Sequence, residues 1–310
     1  MSARSLALAV VAFGVGAAAS GVRGGAAAAP AAAVPAGSIV GLFSNGATGG
    51  CDLWRLSPST GDNATVATGL RMCDGVVQFF PAVATKLADD GALVVAIGTG
   101  ASVFSIDTAS GAQTPLAPMP ALNDSNWPLG LVAAPAGKLY LIFQNDVMEV
   151  ANNELTRLPI DISVPQYAQV TSCPACGTGG APVIFVADEA STTIFCFDLG
   201  AMDAPYTIKS GVSGDMDLQW SESQASLIEV ASYTLYKTNP VSGKSTRIGY
   251  VPDGPGYPRV NTLSPGGGDT IWICDFSNQF TMDLTSGAVG PAFEFHLAPR
   301  IVGQPQWFST

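Results

Sequence analysis

Charge is scarce in this sequence, and basic charge scarcest. Only 12% of the 310 residues are Asp, Glu, Lys or Arg, against about 25% in an ordinary globular chain. Thirteen Lys and Arg against 24 Asp and Glu give a net charge of −11. No basic patch is available to neutralise phosphates, which excludes a nucleic-acid partner and leaves solubility as the use of the acidic excess. There is one histidine, His296, and no Gly-x-Ser-x-Gly elbow to pair with it, which removes the usual constellation for nucleophilic catalysis. Nor is a phosphate cradle written, since Gly98-Thr99-Gly100 lacks the third glycine and the helix that a dinucleotide loop needs. The longest apolar run, Leu6–Ala19, has 14 residues and is too short to span a bilayer comfortably.

What is abundant is turn-forming residues: 35 Gly and 22 Pro in a chain that is 47% hydrophobic. That composition points to turn-rich β structure in one large domain. The N-terminus carries Arg4, the apolar run and then Ala18-Ala19-Ser20, a small-residue cleavage site. Residues 1–20 therefore read as a secretory signal, with no Cys to mark a lipoprotein. Residues 21–37 are an Ala/Pro-rich linker. The folded part is expected over 38–310, secreted and without a membrane span.

One stretch organises that domain. Val103–Gly111 reads Val-Phe-Ser-Ile-Asp-Thr-Ala-Ser-Gly, and close relatives occur at Leu53–Gly61, Leu235–Gly243 and Gln279–Gly287. Looser copies lie at Val147–Ala151 and Ile194–Asp198. With Ser57, Asp107, Ala151, Asp198, Asn239 and Asp283 as markers, the spacings are 50, 44, 47, 41 and 44. Three places before the marker stand Trp54, Phe104, Met148, Phe195, Tyr236 and Phe280, and one place before it Leu56, Ile106, Val150, Phe197, Thr238 and Met282. The residues between are mostly polar, a period-two alternation that predicts a strand with one face buried. The Asp-x-x-Ser/Thr-Gly ending is turn chemistry, with an Asx cap followed by a glycine of positive φ.

Each marker strand is preceded by a nearly unbroken apolar run, at Ile39–Phe43, Leu93–Ile97, Leu139–Phe143, Pro182–Ala187, Leu227–Ala231 and Thr270–Cys274. Such runs suit strands covered on both faces. Adding a strand before and after gives four per repeat and six repeats of about 45 residues, the size of a propeller blade. The first repeat lacks its first strand, and the C-terminus has one to spare. Gly303–Ser309 resembles Asp217–Ser221 in sequence. The expectation is an all-β, six-bladed β-propeller closed by a C-terminal strand added to the first blade, which removes free edges.

Trp127-Pro128-Leu129-Gly130-Leu131 leading into Gly137-Lys138-Leu139-Tyr140 is a blade-level feature. With the repeat, it makes residues 38–310 resemble the six-bladed propellers of the SMP-30/gluconolactonase, NHL and strictosidine-synthase-like groups. The absence of Gly-His and Trp-Asp signatures speaks against a WD-repeat protein.

Six cysteines in a secreted chain suggest disulfides. Cys51 and Cys73 are expected on one rim and bridged. Cys173-Pro174-Ala175-Cys176 is expected to be a local disulfide, since no second pair, His cluster or βαβ unit accompanies it. Cys196 and Cys274 fall inside strands of distant blades and are expected to be buried thiols. Asn63 and Asn123 head glycosylation sequons.

Aligning the first strands where they meet the central channel gives Phe80-Pro81, Trp127-Pro128, Tyr167-Ala168, Met216-Asp217, Tyr257-Pro258 and Gln304-Pro305. Phe80, Trp127, Tyr167 and Tyr257 form a candidate aromatic mouth, suited to stacking on a sugar or gripping an apolar group. The alternative is that these rings only pack blade against blade. The metal-dependent lactonases implied by the resemblance need about six oxygens around one Ca²⁺. Here Asp215 and Asp217, with Asn126 and Asn261, are the candidate donors. The expected function is a binding module without cofactor, its partner a small molecule, glycan or protein. A Ca²⁺-dependent lactonase or esterase and a non-catalytic scaffold are the alternatives.

Overall fold

In the computed structural model, the described residues are 37–45, 50–70, 82–86, 93–97, 102–118, 128–164, 168–188, 193–202, 204–210, 216–231, 233–252, 260–263, 269–274, 278–294 and 301–307. The expected signal segment and almost all of the linker lie outside them.

Five antiparallel sheets are built from four consecutive strands each. Sheet two comprises β4 (Ala82–Lys86), β5 (Leu93–Ile97), β6 (Ser102–Ile106) and β7 (Gln113–Pro118). Sheet three comprises β8 (Pro128–Ala133), β9 (Leu139–Phe143), β10 (Val147–Ala151) and β11 (Glu154–Arg157). Sheet four comprises β12 (Gln169–Cys173), β13 (Val183–Asp188), β14 (Thr193–Asp198) and β15 (Tyr206–Ser210). Sheet five comprises β16 (Met216–Ser221), β17 (Ser226–Ala231), β18 (Thr234–Thr238) and β19 (Ser245–Tyr250). Sheet six comprises β20 (Val260–Leu263), β21 (Thr270–Cys274), β22 (Asn278–Asp283) and the two-residue β23 (Phe293–Glu294). Counted as uninterrupted meanders, the blades number five, not six.

Sheet one is composite. Its strands β1 (Ile39–Asn45), β2 (Gly50–Leu56) and β3 (Asn63–Leu70) come from the start of the domain, and β24 (Ile301–Trp307) comes from its end. The order is β24-β1-β2-β3, with Trp307 opposite Ile39 and Ile301 opposite Phe43. Between Val40 and Leu42 the register of β24 shifts, so Gly303-Gln304-Pro305 forms a bulge, where a proline without an N–H is tolerated. Gln304-Pro305 thus lies inside a strand, not at its start as the channel alignment supposed.

The marker strands β2, β6, β10, β14, β18 and β22 all stand third in their sheets. The expectation that one face is buried is too small. Leu53, Val103, Val147, Ile194, Leu235 and Gln279, four places before each marker, are buried without exception. So are Leu56, Ile106, Phe197, Thr238 and Met282 on the opposite face. Both faces are covered because each sheet packs against a neighbour on either side. Val40, Leu42 and Leu53 of sheet one meet Leu93 and Ile106 of sheet two. Val103 meets Leu139 and Leu141 across the next seam, and Ile142 meets Ile184 and Phe197 across the one after. Ile194 and Cys196 meet Leu218 and Leu227, and Ile228 and Val230 meet Ile271 and Ile273. Trp272 and Cys274 of sheet six meet Ile39, Phe43, Trp54 and Leu56 of sheet one.

The turns follow the sequence closely. Asp107 Oδ1 accepts the amides of Ala109 and Ser110 at 2.9 and 2.7 Å. Asn239 and Asp283 cap their turns in the same way. The glycine that ends the turn has two duties. Gly61 has φ +74°, and a Cβ there would come within 2.5 Å of the Phe293 ring in sheet six. Gly243 has φ +68°, and a Cβ there would strike the Ile208 carbonyl of sheet four. The Val147–Ala151 copy, which lacks the motif, turns instead through Asn152 and Asn153 at φ 53° and 62°, the tight hairpin that paired positive φ values allow.

Candidate functional site

The first strands β24, β4, β8, β12, β16 and β20 lie side by side, each against the next and β20 against β24. Five of them begin at or shortly after the residues of the channel-mouth column, as the bounds Ala82, Pro128, Gln169, Met216 and Val260 show. Phe80, Trp127, Tyr167 and Tyr257 themselves lie outside the described residues, as do Asp215, Asn126, Asn123, Cys73 and His296. Asn261 is on β20, opposite Ile273.

Asp217, second on β16, is 8% exposed, and its Oδ1 accepts the Leu218 amide at 2.9 Å. A Ca²⁺ site needs six to eight oxygens, and two of the four candidate donors, Asp215 and Asn126, lie outside the described residues. Among the described residues no three metal-ligating side chains converge.

Register reveals a feature that the sequence alignment missed. Level with Arg55, Ser105, Glu149, Cys196, Lys237 and Thr281 on the marker strands, the first strands present Gln306, Thr85, Val132, Thr171, Gln219 and Thr262. Five of these six are hydroxyl or amide residues. Thr171 Oγ1 accepts the Trp220 amide of the next first strand at 3.0 Å, which ties β12 to β16 at this level. The buried Nε2 of Gln219 has no hydrogen-bond partner among the described residues. Exact pairing was the signal needed, and single-sequence alignment of first strands does not supply it.

A second polar cluster crosses the seam between sheets four and five. Lys209 Nζ reaches Glu229 Oε2 at 2.8 Å and Ser245 Oγ at 2.7 Å, and lies 5.9 Å from the Tyr236 ring centroid. Glu229 is 1% exposed and its other oxygen, Oε1, is buried without a hydrogen-bond partner among the described residues. Its counterparts in register are Gly41 and the apolar Val95, Leu141, Val186 and Ile273.

The cysteines divide as expected where they are described. Cys173, the last residue of β12, forms a disulfide with Cys176 in the loop that follows. Asp198 clamps that loop by accepting the Thr178 amide and hydroxyl at 2.7 and 2.8 Å, together with the Gly200 amide at 2.7 Å. Partial burial opposes its ionisation, but these donors prevail and its carboxyl is held below the ordinary range. Cys51 is disulfide-bonded. Cys196 and Cys274 are buried thiols outside any disulfide. Burial pushes the Cys196 thiol up, against the effect of a hydrogen bond with Tyr206. That bond and burial push the Tyr206 hydroxyl up to about 12. A thiol so disposed is a core residue, not a nucleophile.

No family model and no curated protein matches the sequence. Solved structures do match. A chain in the crystal structure of a nidogen/laminin complex superposes with TM-score 0.64 at 13% identity, over 87% of this chain and 98% of that one. TolB from Acinetobacter baumannii gives TM-score 0.59 at 15% identity, over 88% of this chain and 67% of that one. The fold is a β-propeller. Virginiamycin B lyase from Staphylococcus aureus gives TM-score 0.50 at 11% identity, over 87% and 88%. Identities this low carry the architecture and leave ligands unspecified. A propeller frame is consistent with a binding or interaction module, and among the described residues no helix is long and apolar enough to cross a membrane.

Proposed function

We propose that this propeller is a secreted binding module, with its ligand at the end of the first strands where Phe80, Trp127, Tyr167 and Tyr257 stand in sequence. In this reading the composite sheet is the sixth blade, and β24 closes the ring. The observation that carries it is the cycle of first strands, each lying against the next, with five of their N-termini at or just after the mouth column. A disulfide in the Cys173–Cys176 loop supports an oxidising compartment. Aromatic rings bind by apolar area and stacking, worth on the order of 1 kcal/mol per ring beyond area burial. A sugar or small apolar molecule is the ligand class that fits them.

The test is a glycan array and a small-molecule calorimetry screen, followed by Trp127→Ala and Tyr257→Ala on any ligand found. Each should weaken binding about five- to tenfold with the melting temperature unchanged, and Asp217→Ala should do less. Tight Ca²⁺ binding lost in Asp217→Ala, together with lactone or ester hydrolysis, would move the protein to the lactonase class. A protein partner is the second reading. It is favoured by the nidogen/laminin complex, whose chain shares this architecture, and a pull-down weakened by the same two substitutions would select it.

A further inference from the structure

The register level that includes Arg55 holds three charged side chains on the marker strands, and they are treated differently. Glu149 faces Lys138 at 3.7 Å, and Lys237 donates to Gln224 Oε1 at 2.6 Å. Arg55 is half-buried and makes no ion pair or hydrogen bond through its side chain among the described residues. Leaving a guanidinium partly desolvated and unpaired is unfavourable, and in a chain of net charge −11 acidic partners are not in short supply.

Arg55 borders a cavity of about 600 Å³ at the turn end of sheet one, together with Ser57, Ser59, Thr60, Asp62 and Asn63. Their hydrogen bonds leave donors over. Ser57 and Ser59 share one bond at 3.2 Å, so one of the two hydroxyl protons stays available. The Thr60 hydroxyl is spent on Asp62 Oδ2 at 2.8 Å. Beside the cavity runs β3, the outermost strand of its sheet, which carries neither charge nor proline and pairs regularly with β2 over Asn63–Thr65. By contrast β7 contains two prolines, β11 has four residues and β23 two. An edge left this open accepts an added strand.

We propose that this cavity is a carboxylate-binding site, with Arg55 gripping the acid through its planar fork and the hydroxyl of Ser57, two places along the same face, completing the contact. The acid is the side chain of an extended peptide lying along Asn63–Thr65. This site lies outside the channel and stands independently of the mouth reading.

The experiment is calorimetry at low salt on the intact secreted chain. The probes are an acetylated, amidated Ala-Ala-Glu-Ala-Ala peptide, its Gln counterpart, and free glutarate. The Glu peptide should bind about tenfold more tightly than the Gln peptide. Arg55→Gln should abolish that difference, Arg55→Lys should restore part of it, and Asp62→Asn should strengthen binding by removing a like charge. Melting curves of each variant separate lost binding from lost folding. Glutarate binding as tightly as the peptide assigns the site to free acids, and peptide binding alone assigns it to an added strand. Equal affinity for the Glu and Gln peptides, binding unchanged in Arg55→Gln, or no binding by either acid at millimolar concentration would overturn the proposal.

Discussion

Two seams between neighbouring sheets hold the same kind of ladder by different means. Between sheets six and one the contact is apolar bulk, with Trp54 and Trp272 both fully buried among Ile39, Phe43, Leu56 and Cys274. Between sheets four and five there is also a stack, Phe185 on Trp220 at 5.4 Å and 11°, but an ion pair between the half-buried Lys209 and the buried Glu229 crosses it. Dispersion and hydrophobic burial are strong yet indifferent to a small slide along the strands. A buried pair adds little net stability when intact but penalises any displacement that parts it. The first seam joins the two ends of the chain, where affinity matters most. The second lies within one continuous run of chain, where the ion pair sets alignment.

The largest effect is expected at the apolar seam. Trp272→Ala removes a fully buried ring and its indole bond to Gln279 Oε1, 2.9 Å long, and should cost about 4 kcal/mol in chemical denaturation. A smaller but more telling loss belongs to Lys209→Met. It strands Glu229 in the seam and should cost about 3 kcal/mol, most of it recovered by adding Glu229→Leu. Additive effects in that double mutant would mean the two side chains do not act as a pair.

The smallest effect concerns acid. The Ser110 amide and hydroxyl hold the Asp107 carboxyl below its ordinary 3.8, and the Ser286 hydroxyl and amide do the same for Asp283. Carboxyls with depressed folded values stabilise the protein above the ordinary value, and that contribution is lost as pH falls through the folded ones. Melting temperature should hold from pH 7 to 5 and drop below pH 4, with a shallower drop in Asp107→Asn. An identical acid profile in that variant would remove the turn cap from the account.

How much was legible in sequence follows from what repeats. The marker strand and its turn were readable because alternation and Asx-x-x-Ser-Gly chemistry are local. All six apolar runs fall on second strands, three of them with identical bounds. The burial of Leu53, Val103 and Ile194 on the second face was not readable, because it depends on a neighbouring sheet. The first strands were the hardest. They are short and variable, and the bulge at Gly303–Pro305 breaks the alignment that placed Gln304 at a strand start. The neutral polar level through Thr171 and Gln219 emerges only from pairing. Of the proposed mouth, the sequence supplied the aromatic column, and the structure shows the first strands lying side by side.

Native-state hydrogen exchange on β1 tests the central proposal, that the composite sheet is a full blade of the ring. The amides of Ile39–Phe43 should be protected as strongly as those of Leu139–Phe143 in sheet three, and both groups should open together in denaturant. Fast exchange of β1 and β24 while β9 stays protected would show that the chain ends fray, and the closed ring would have to be abandoned.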